Sequence, residues 1–284
     1  VPGAAEHDAL LQWKAPYLNV PFFLIRAAFY FGSWSFIAVL YYRGSRGQDA
    51  TGDPAVSARL RRFAGPSLLV LALTQTFASI DWVMSLTPHW YSTIFGVYFF
   101  AGSFVAFIAL LSVVAVAMRR AGLLDTVINA EHLHDIGKFL FAFTSFWAYI
   151  GFSQFFLIWY ANLPEETIWY KARLEGSWMM VSLFLMAGHF GAPFFYLMGR
   201  AVKRRGSTLA IGGAWLLAMH FLDLYWQVMP TLHPEGLRPS LLDVAAFVAV
   251  GGCFVAAASW LMRRQALVPL RDPRLAESLA FENV

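Results

Sequence analysis

The chain has 284 residues, of which 59% are hydrophobic and 13% charged, with a mean hydropathy of +0.56 and a formal net charge of +4. A soluble domain carries about 25% charged residues, so this composition excludes a soluble protein and indicates an integral membrane protein. The sequence pI of about 9.3 would suit a nucleic-acid-binding protein, but the cations lie in short loops between apolar segments, and no nucleic-acid partner is expected.

Seven segments are long and apolar enough to cross a membrane as helices, which takes about 20 residues each. They are too long and too uniformly apolar for the strands of a membrane barrel. The sequence therefore predicts an all-α, polytopic bundle in a single membrane domain, 1–284, whose spans in chain order are about 18–42, 63–86, 92–118, 136–162, 177–199, 208–229 and 241–262. The four spans between 92 and 229 are expected to form one four-helix bundle.

Loop cations predict the orientation. Sixteen Lys and Arg residues lie in or beside the loops that follow the first, third, fifth and seventh spans, whereas the opposite loops hold only Lys14, Lys171, Arg173 and Arg238. The positive-inside rule then places the N-terminus outside and the C-terminus in the cytoplasm. An interfacial aromatic belt is expected at the outer ends of the spans, formed by Trp82, Trp90, Trp159, Trp178 and Trp226.

Five ionisable side chains fall at membrane depth. Arg26 and Asp81 lie at similar depth on consecutive antiparallel spans and are expected to pair, either as a static ion pair or as a gate near the outer face. His189 lies halfway along the fifth span, and His220 and Asp223 lie one turn apart in the sixth. Because a histidine beside a carboxylate titrates near neutrality, these three residues are the predicted proton-transfer site at the midplane.

The fourth span carries a polar stripe. Asp135 and Lys138 begin it on the cytoplasmic side, and Ser145, Tyr149 and Ser153 follow at intervals of four residues, so the stripe covers about 22 Å. One interpretation is a proton entrance and relay that leads to the midplane. The other is helix capping, snorkelling and adhesion between helices, which hydroxyl groups in membrane spans often provide.

Two cofactor sites remain open alternatives. His189 and His220 on adjacent helices could ligate a b-type haem. A quinone pocket near the outer surface could use Asp81 with Trp82, or His89 with Trp90 and Tyr91. The single cysteine, Cys253, and the lack of a CxxCH motif predict neither covalent haem nor an iron–sulfur cluster, and no metal site is expected.

Long, specific motifs occur in segments 16–23, 76–86, 88–92, 132–138, 146–149, 153–154, 159–162 and 164–166. These motifs resemble the ActF subunit of alternative complex III, in the NrfD-like family of membrane subunits, and the resemblance covers essentially the whole chain. Family members have about ten spans, so the resemblance implies that this chain is the C-terminal seven, with three N-terminal spans absent.

The resemblance implies a subunit of a quinol-oxidising respiratory complex in the bacterial inner membrane. It implies menaquinone as the quinone, with haems and iron–sulfur clusters in partner subunits and no redox cofactor held by this chain. The implied partners are an ActC-like sister subunit, the haem and iron–sulfur subunits, lipids, and a terminal oxidase or cytochrome.

The function expected on this basis is proton conduction coupled to menaquinol oxidation, by a subunit that is non-catalytic or quinone-associated. Asp135 and Lys138 would form the entrance, Ser145 and Tyr149 would continue the path, His189, His220 and Asp223 would be the relay, and Asp81 with Arg26 the outer gate. The alternatives are a purely structural scaffold of the complex and a stand-alone ion or proton transporter.

Overall fold

The computed structural model describes residues 8–283, which are helical with no strand in that range. After the short helix α1 (Ala9–Lys14), seven helices or helix pairs are long and apolar enough to cross a membrane. This confirms the predicted all-α fold with seven spans. The spans are α2 (Val20–Thr51), α3 (Pro54–Trp82), α4 (Phe95–Arg120), α5 (Ala130–Ala161), the pair α7 (Gly176–Leu185) and α8 (Ala192–Met198), α10 (Gly206–Leu232) and α11 (Leu241–Met262).

The first two spans extend well beyond their apolar segments. α2 has 32 residues, which makes it about 48 Å long and longer than a ~30 Å hydrocarbon core. It ends at Gly52, whose φ of 70° is left-handed, and α3 begins at once with Asp53 as N-cap and Pro54 at the first helical position. A two-residue turn thus replaces most of the loop expected at 43–62.

The fifth span changes its helical form halfway. Residues Met186–Gly191, between α7 and α8, are π-helical and contain His189. Pro193 lies four residues after His189 and has no N–H to donate to the His189 carbonyl. The indole of Trp215 donates to the Gly188 carbonyl at 2.6 Å, which satisfies a backbone acceptor in the widened turn.

Four spans pack around one core. α10 packs on α4, α5 and the α7–α8 pair, and α5 also packs on α4 and α8. These helices supply most of the fully buried apolar side chains, and α2 and α3 form a hairpin whose second helix packs on α4. Short helices α6 (Pro164–Leu174) and α9 (Arg200–Arg204) cover opposite ends of the four. None of the residues of α11 is buried within the chain.

Small residues allow the closest helix approach. A Cβ added at Gly213 in α10 would lie 2.1 Å from Ser112 Oγ and 2.8 Å from the Ala109 carbonyl oxygen of α4. Such close backbone contact is typical of membrane helices, which pack through glycine, alanine and serine. The crossing brings α4 and α10 together, and these two helices carry most of the candidate site.

The aromatic-belt prediction is wrong for three of its five tryptophans. Trp90, Trp178 and Trp226 are buried in the protein, where their indole N–H groups donate to the Glu166 carbonyl, the His233 carbonyl and Ser182 Oγ. Trp159, in contrast, is 63% exposed. The Trp90 and Trp178 bonds hold α6 and the 230–240 loop on the bundle, and the Trp226 bond joins α10 to α7.

Candidate functional site

Asp223 is the central residue of a buried polar cluster inside the core formed by α4, α5, the α7–α8 pair and α10. It lies on α10, nine residues before that helix ends, and is 1% exposed. Tyr98 on α4 donates its hydroxyl to Asp223 Oδ1 at 2.6 Å, and the Gln227 amide donates to Oδ2 at 3.1 Å. A carboxyl group is thus held away from water by one phenol and one amide.

The two histidines lie beside this carboxyl. His220 Nδ1 is 3.9 Å from Asp223 Oδ2, and the rings of His220 and His189 have centroids 6.3 Å apart. The structure therefore brings together the three residues predicted for the midplane. The direct His220–Asp223 hydrogen bond suggested by their spacing is absent, because Tyr98 and Gln227 occupy the carboxylate and 3.9 Å exceeds hydrogen-bond distance.

Several buried polar atoms of this region have no hydrogen-bond partner among residues 8–283. They are both ring nitrogens of His189, His220 Nδ1, Trp147 Nε1, Gln154 Oε1 and Gln227 Oε1. His189 is fully buried, and the Trp147 ring packs on it with centroids 3.9 Å apart. Buried polar groups are nearly always paired, so this concentration indicates a place for bound water or a small polar ligand.

Tight packing around both imidazoles favours a small occupant over a macrocycle. A Cβ at Gly102 of α4 would lie 3.0 Å from His220 Cε1 and 3.4 Å from Trp147 Cδ1. The α4 backbone therefore packs closely on His220, and the Trp147 ring packs on His189. A haem between His189 and His220 would require these groups to move. No set of three potential metal-ligating side chains occurs within the described residues.

Arg173 is a buried charge beside the cluster. It lies in α6, is 1% exposed, and donates to three backbone carbonyls: Trp226 at 3.1 Å, Trp169 at 2.8 Å and Gln227 at 2.6 Å. Pro230 explains the first acceptor, because a proline lacks the N–H that would otherwise bond the carbonyl four residues earlier. Burial lowers the pKa of Arg173 to about 9, which still leaves the guanidinium charged near neutrality.

Arg26 and Asp81 form the expected ion pair. Arg26 Nε and Nη2 donate to the two carboxylate oxygens of Asp81 at 2.7 and 3.0 Å, and the Tyr30 hydroxyl adds a third donor at 2.8 Å. The Arg26 guanidinium also lies over the Tyr17 ring at 3.9 Å. A bidentate pair whose carboxylate has three donors favours the static interpretation over a gate.

A cavity of about 410 Å³ adjoins this pair. Its walls are mainly apolar, from α1, the start of α2 and the end of α3. Trp90, proposed with His89 for a quinone pocket, stacks instead on Trp169 with centroids 4.7 Å apart, and His89 Nε2 contacts Asp8 Oδ2 at 2.9 Å. The predicted quinone position at Asp81 therefore has a cavity beside it.

The stripe on α5 does not converge on the cluster. Lys138 Nζ contacts Asp135 Oδ1 at 2.6 Å, one turn apart near the start of the helix. Ser145 donates to the Phe141 carbonyl of its own helix, and Tyr149 is 64% exposed on the outside of the bundle. Asp135 and Lys138 thus lie at the helix end, separated from His189 by residues whose hydroxyls bond their own backbone.

Sequence reasoning missed Tyr98, Trp147, Gln227 and Arg173. Trp147 lies in the middle of a predicted span, far from any interface, and this position was a usable signal. Tyr98 is the single phenol in α4, which is otherwise apolar. In the sequence Arg173 is only a cation in a predicted loop, because nothing local to α6 shows that this loop folds back over α10.

The chain matches no model of a known protein family, and no curated protein sequence matches it either. The geometry of the site therefore carries the functional argument.

Proposed function

We propose that this chain is a proton-conducting, quinone-associated membrane subunit of a quinol-oxidising respiratory complex, similar to the ActF subunit of alternative complex III. In this proposal it lies in a bacterial inner membrane beside an ActC-like sister subunit and beside subunits that hold haems and iron–sulfur clusters. Menaquinol is oxidised by the complex, and the chain itself holds no redox cofactor. The motif resemblance at 76–92 and 132–166 supports the identity of the complex.

One observation carries the proton-conducting role: the fully buried carboxyl of Asp223 accepts a hydrogen bond from Tyr98 and lies within 4 Å of His220. The adjacent His189 has no hydrogen-bond partner for either ring nitrogen among residues 8–283. Ionisable groups at membrane depth are costly and occur mainly in ion or proton pathways. Asp223 would hold the proton, with Tyr98 as its hydrogen-bond partner. Water between Asp223, His220 and His189 would pass the proton on, since bridging water spans gaps that exceed hydrogen-bond distance.

Asp223→Asn tests this role in the assembled complex reconstituted in liposomes. The variant keeps the shape of the side chain but has no acidic proton, so we expect fewer protons moved per electron while quinol oxidation continues. Asp125→Asn, at an exposed loop position, is the matched control and should keep the full stoichiometry. An Asp223→Asn complex that moves as many protons per electron as the parent would refute the proton-conducting role.

A structural scaffold is the second candidate, and α11 favours it. None of its residues is buried within the chain, and an apolar helix that is exposed all round suits contact with partner subunits. In this case Asp223→Asn would reduce assembly or thermal stability and leave the proton stoichiometry of the assembled fraction unchanged. The same reconstitution, combined with the yield of intact complex, separates the two functions.

A further inference from the structure

A second cavity, distinct from the buried cluster, lies at the expected cytoplasmic end of the bundle. It has a volume of about 560 Å³ and lies between the start of α5, helix α9 and the start of α10, where it is lined by Ala130, Ala201, Val202, Arg204, Arg205 and Thr208. Two cationic side chains and four small or apolar ones thus form its wall.

The two arginines differ in how they are engaged. Arg204 Nη2 contacts Glu131 Oε1 at 2.5 Å, which fixes its guanidinium beside the cavity. Arg205 is exposed, and among residues 8–283 its guanidinium takes part in none of the observed hydrogen bonds or ion pairs. Glu131 is therefore already paired with Arg204, and Arg205 adds a positive charge that no observed ion pair among residues 8–283 offsets.

An exposed apolar strip of α10 adjoins the cavity. Thr208 lines it, and Ile211 and Trp215 follow at spacings of three and four residues on the same helix face. Ile211 is 63% and Trp215 42% exposed, so this apolar strip continues from the cavity toward the middle of the membrane. A ligand with an anionic head and an apolar tail would match both parts.

We propose that this cavity is a binding site for an anionic phospholipid. Arg205, with the outer edge of the Arg204 guanidinium, binds the phosphate, and one acyl chain lies along Ile211 and Trp215. Basic pockets between membrane helices on the cytoplasmic side suit acidic lipid head groups, which are concentrated in that leaflet. The site is independent of the proton-conducting role and would exist in a scaffold as well.

Native mass spectrometry of the full chain, titrated with phosphatidylglycerol in detergent, tests the site. Arg205→Gln should weaken phosphatidylglycerol retention roughly fivefold, as expected for one cation near the membrane surface. Arg205→Lys should retain most of the binding, because it keeps the charge. Arg263→Gln removes an equal charge from the exposed end of α11 on the same side and should leave retention unchanged.

Three outcomes would overturn the proposal. Equal losses in Arg205→Gln and Arg263→Gln would show a general effect of surface charge. Equal retention of phosphatidylcholine would show that the anionic head is not recognised. Displacement of the lipid by millimolar inorganic phosphate would show a simple anion site that does not use the apolar strip.

Discussion

Two buried ionisable residues, Asp223 and Arg173, are linked through a single glutamine. The Gln227 side chain donates to Asp223, and its backbone carbonyl accepts from Arg173. Within residues 8–283, Arg173 donates to no carboxylate; it binds two carbonyl oxygens near the end of α10 and one in its own helix. A cation there is favourable, because the C-terminal end of a helix carries partial negative charge.

Arg173→Met should destabilise the protein strongly. The substitution keeps an apolar chain of similar length but removes the donor to the Trp226 carbonyl, whose helical donor is already missing at Pro230, at a cost of about 2 kcal/mol. We expect a clear drop of the thermal unfolding midpoint in detergent. Arg238→Met, at an exposed ion pair with Glu235, is the control and should unfold near the parental temperature. Equal midpoints for both variants would contradict the structural role of Arg173.

Tyr98→Phe probes the cluster without changing a charge. It removes the 2.6 Å hydrogen bond to Asp223 and leaves the ring packing intact. If Asp223 holds a transferred proton, the rate of proton uptake in liposomes should change with pH differently from the parent, while the complex stays assembled. A variant with the parental pH profile would show that the phenol only packs.

At the scale of helices, the close crossing of α4 and α10 fixes the site. Tyr98 and Gly102 on α4 reach Asp223 and His220 on α10 only because Gly213 lets the two backbones approach. The π-helical turn in the fifth span is the second local device. The π-helical turn places His189 against Trp147. A regular α-helix would need an N–H from residue 193 for the His189 carbonyl, and Pro193 has none.

Gly213→Ala should separate the two helices. The new methyl would lie 2.1 Å from Ser112 Oγ and 2.8 Å from a backbone carbonyl, so we expect a destabilisation of about 1–3 kcal/mol. Gly251→Ala on α11 is a matched control, since no atom lies within 4 Å of its added Cβ. Thermal unfolding of both variants in the same detergent checks the prediction. A Gly213→Ala protein as stable as Gly251→Ala would mean that the crossing is looser than described.

At the scale of the whole molecule, the C-terminal tail ties the expected cytoplasmic face together. His132 Nε2 lies 2.9 Å from the Ser278 carbonyl, Lys138 hydrogen-bonds Asn283, and Arg271 bonds the end of α2 through Asp49. These contacts join the C-terminal tail to the end of α2 and to the start of α5 on one side of the membrane. The tail and the loop cations thus lie on the same face.

The predicted orientation is open to direct labelling. In a Cys253→Ala background, Glu235→Cys places a thiol in the loop between α10 and α11, and Asp125→Cys places one in the loop between α4 and α5. If the N-terminus is outside, a membrane-impermeant thiol reagent applied to intact spheroplasts should label the first variant and not the second. Labelling of only the second variant would show that the chain has the opposite orientation in the membrane.

The sequence by itself determined the fold class, the seven spans and the Arg26–Asp81 pair. These depend on hydropathy over about 20 residues and on the need of buried charges for partners, which are properties of composition and spacing. It also singled out His189, His220 and Asp223, since ionisable groups are rare in such segments. It placed Asp135 and Lys138 one turn apart at the start of the fourth span, and the structure adds that their side chains contact each other.

Only the tertiary structure decided which groups share a site. Tyr98, Trp147 and Arg173 reach the cluster from three other helices, and the choice depends on helix rotation and on a glycine contact that no local pattern encodes. Tyr149 shows the opposite case. Its spacing along α5 is compatible with a relay, but the rotation of α5 about its axis leaves the side chain exposed on the outside of the bundle. Periodicity defines a face of a helix, but packing alone selects the neighbour which that face meets.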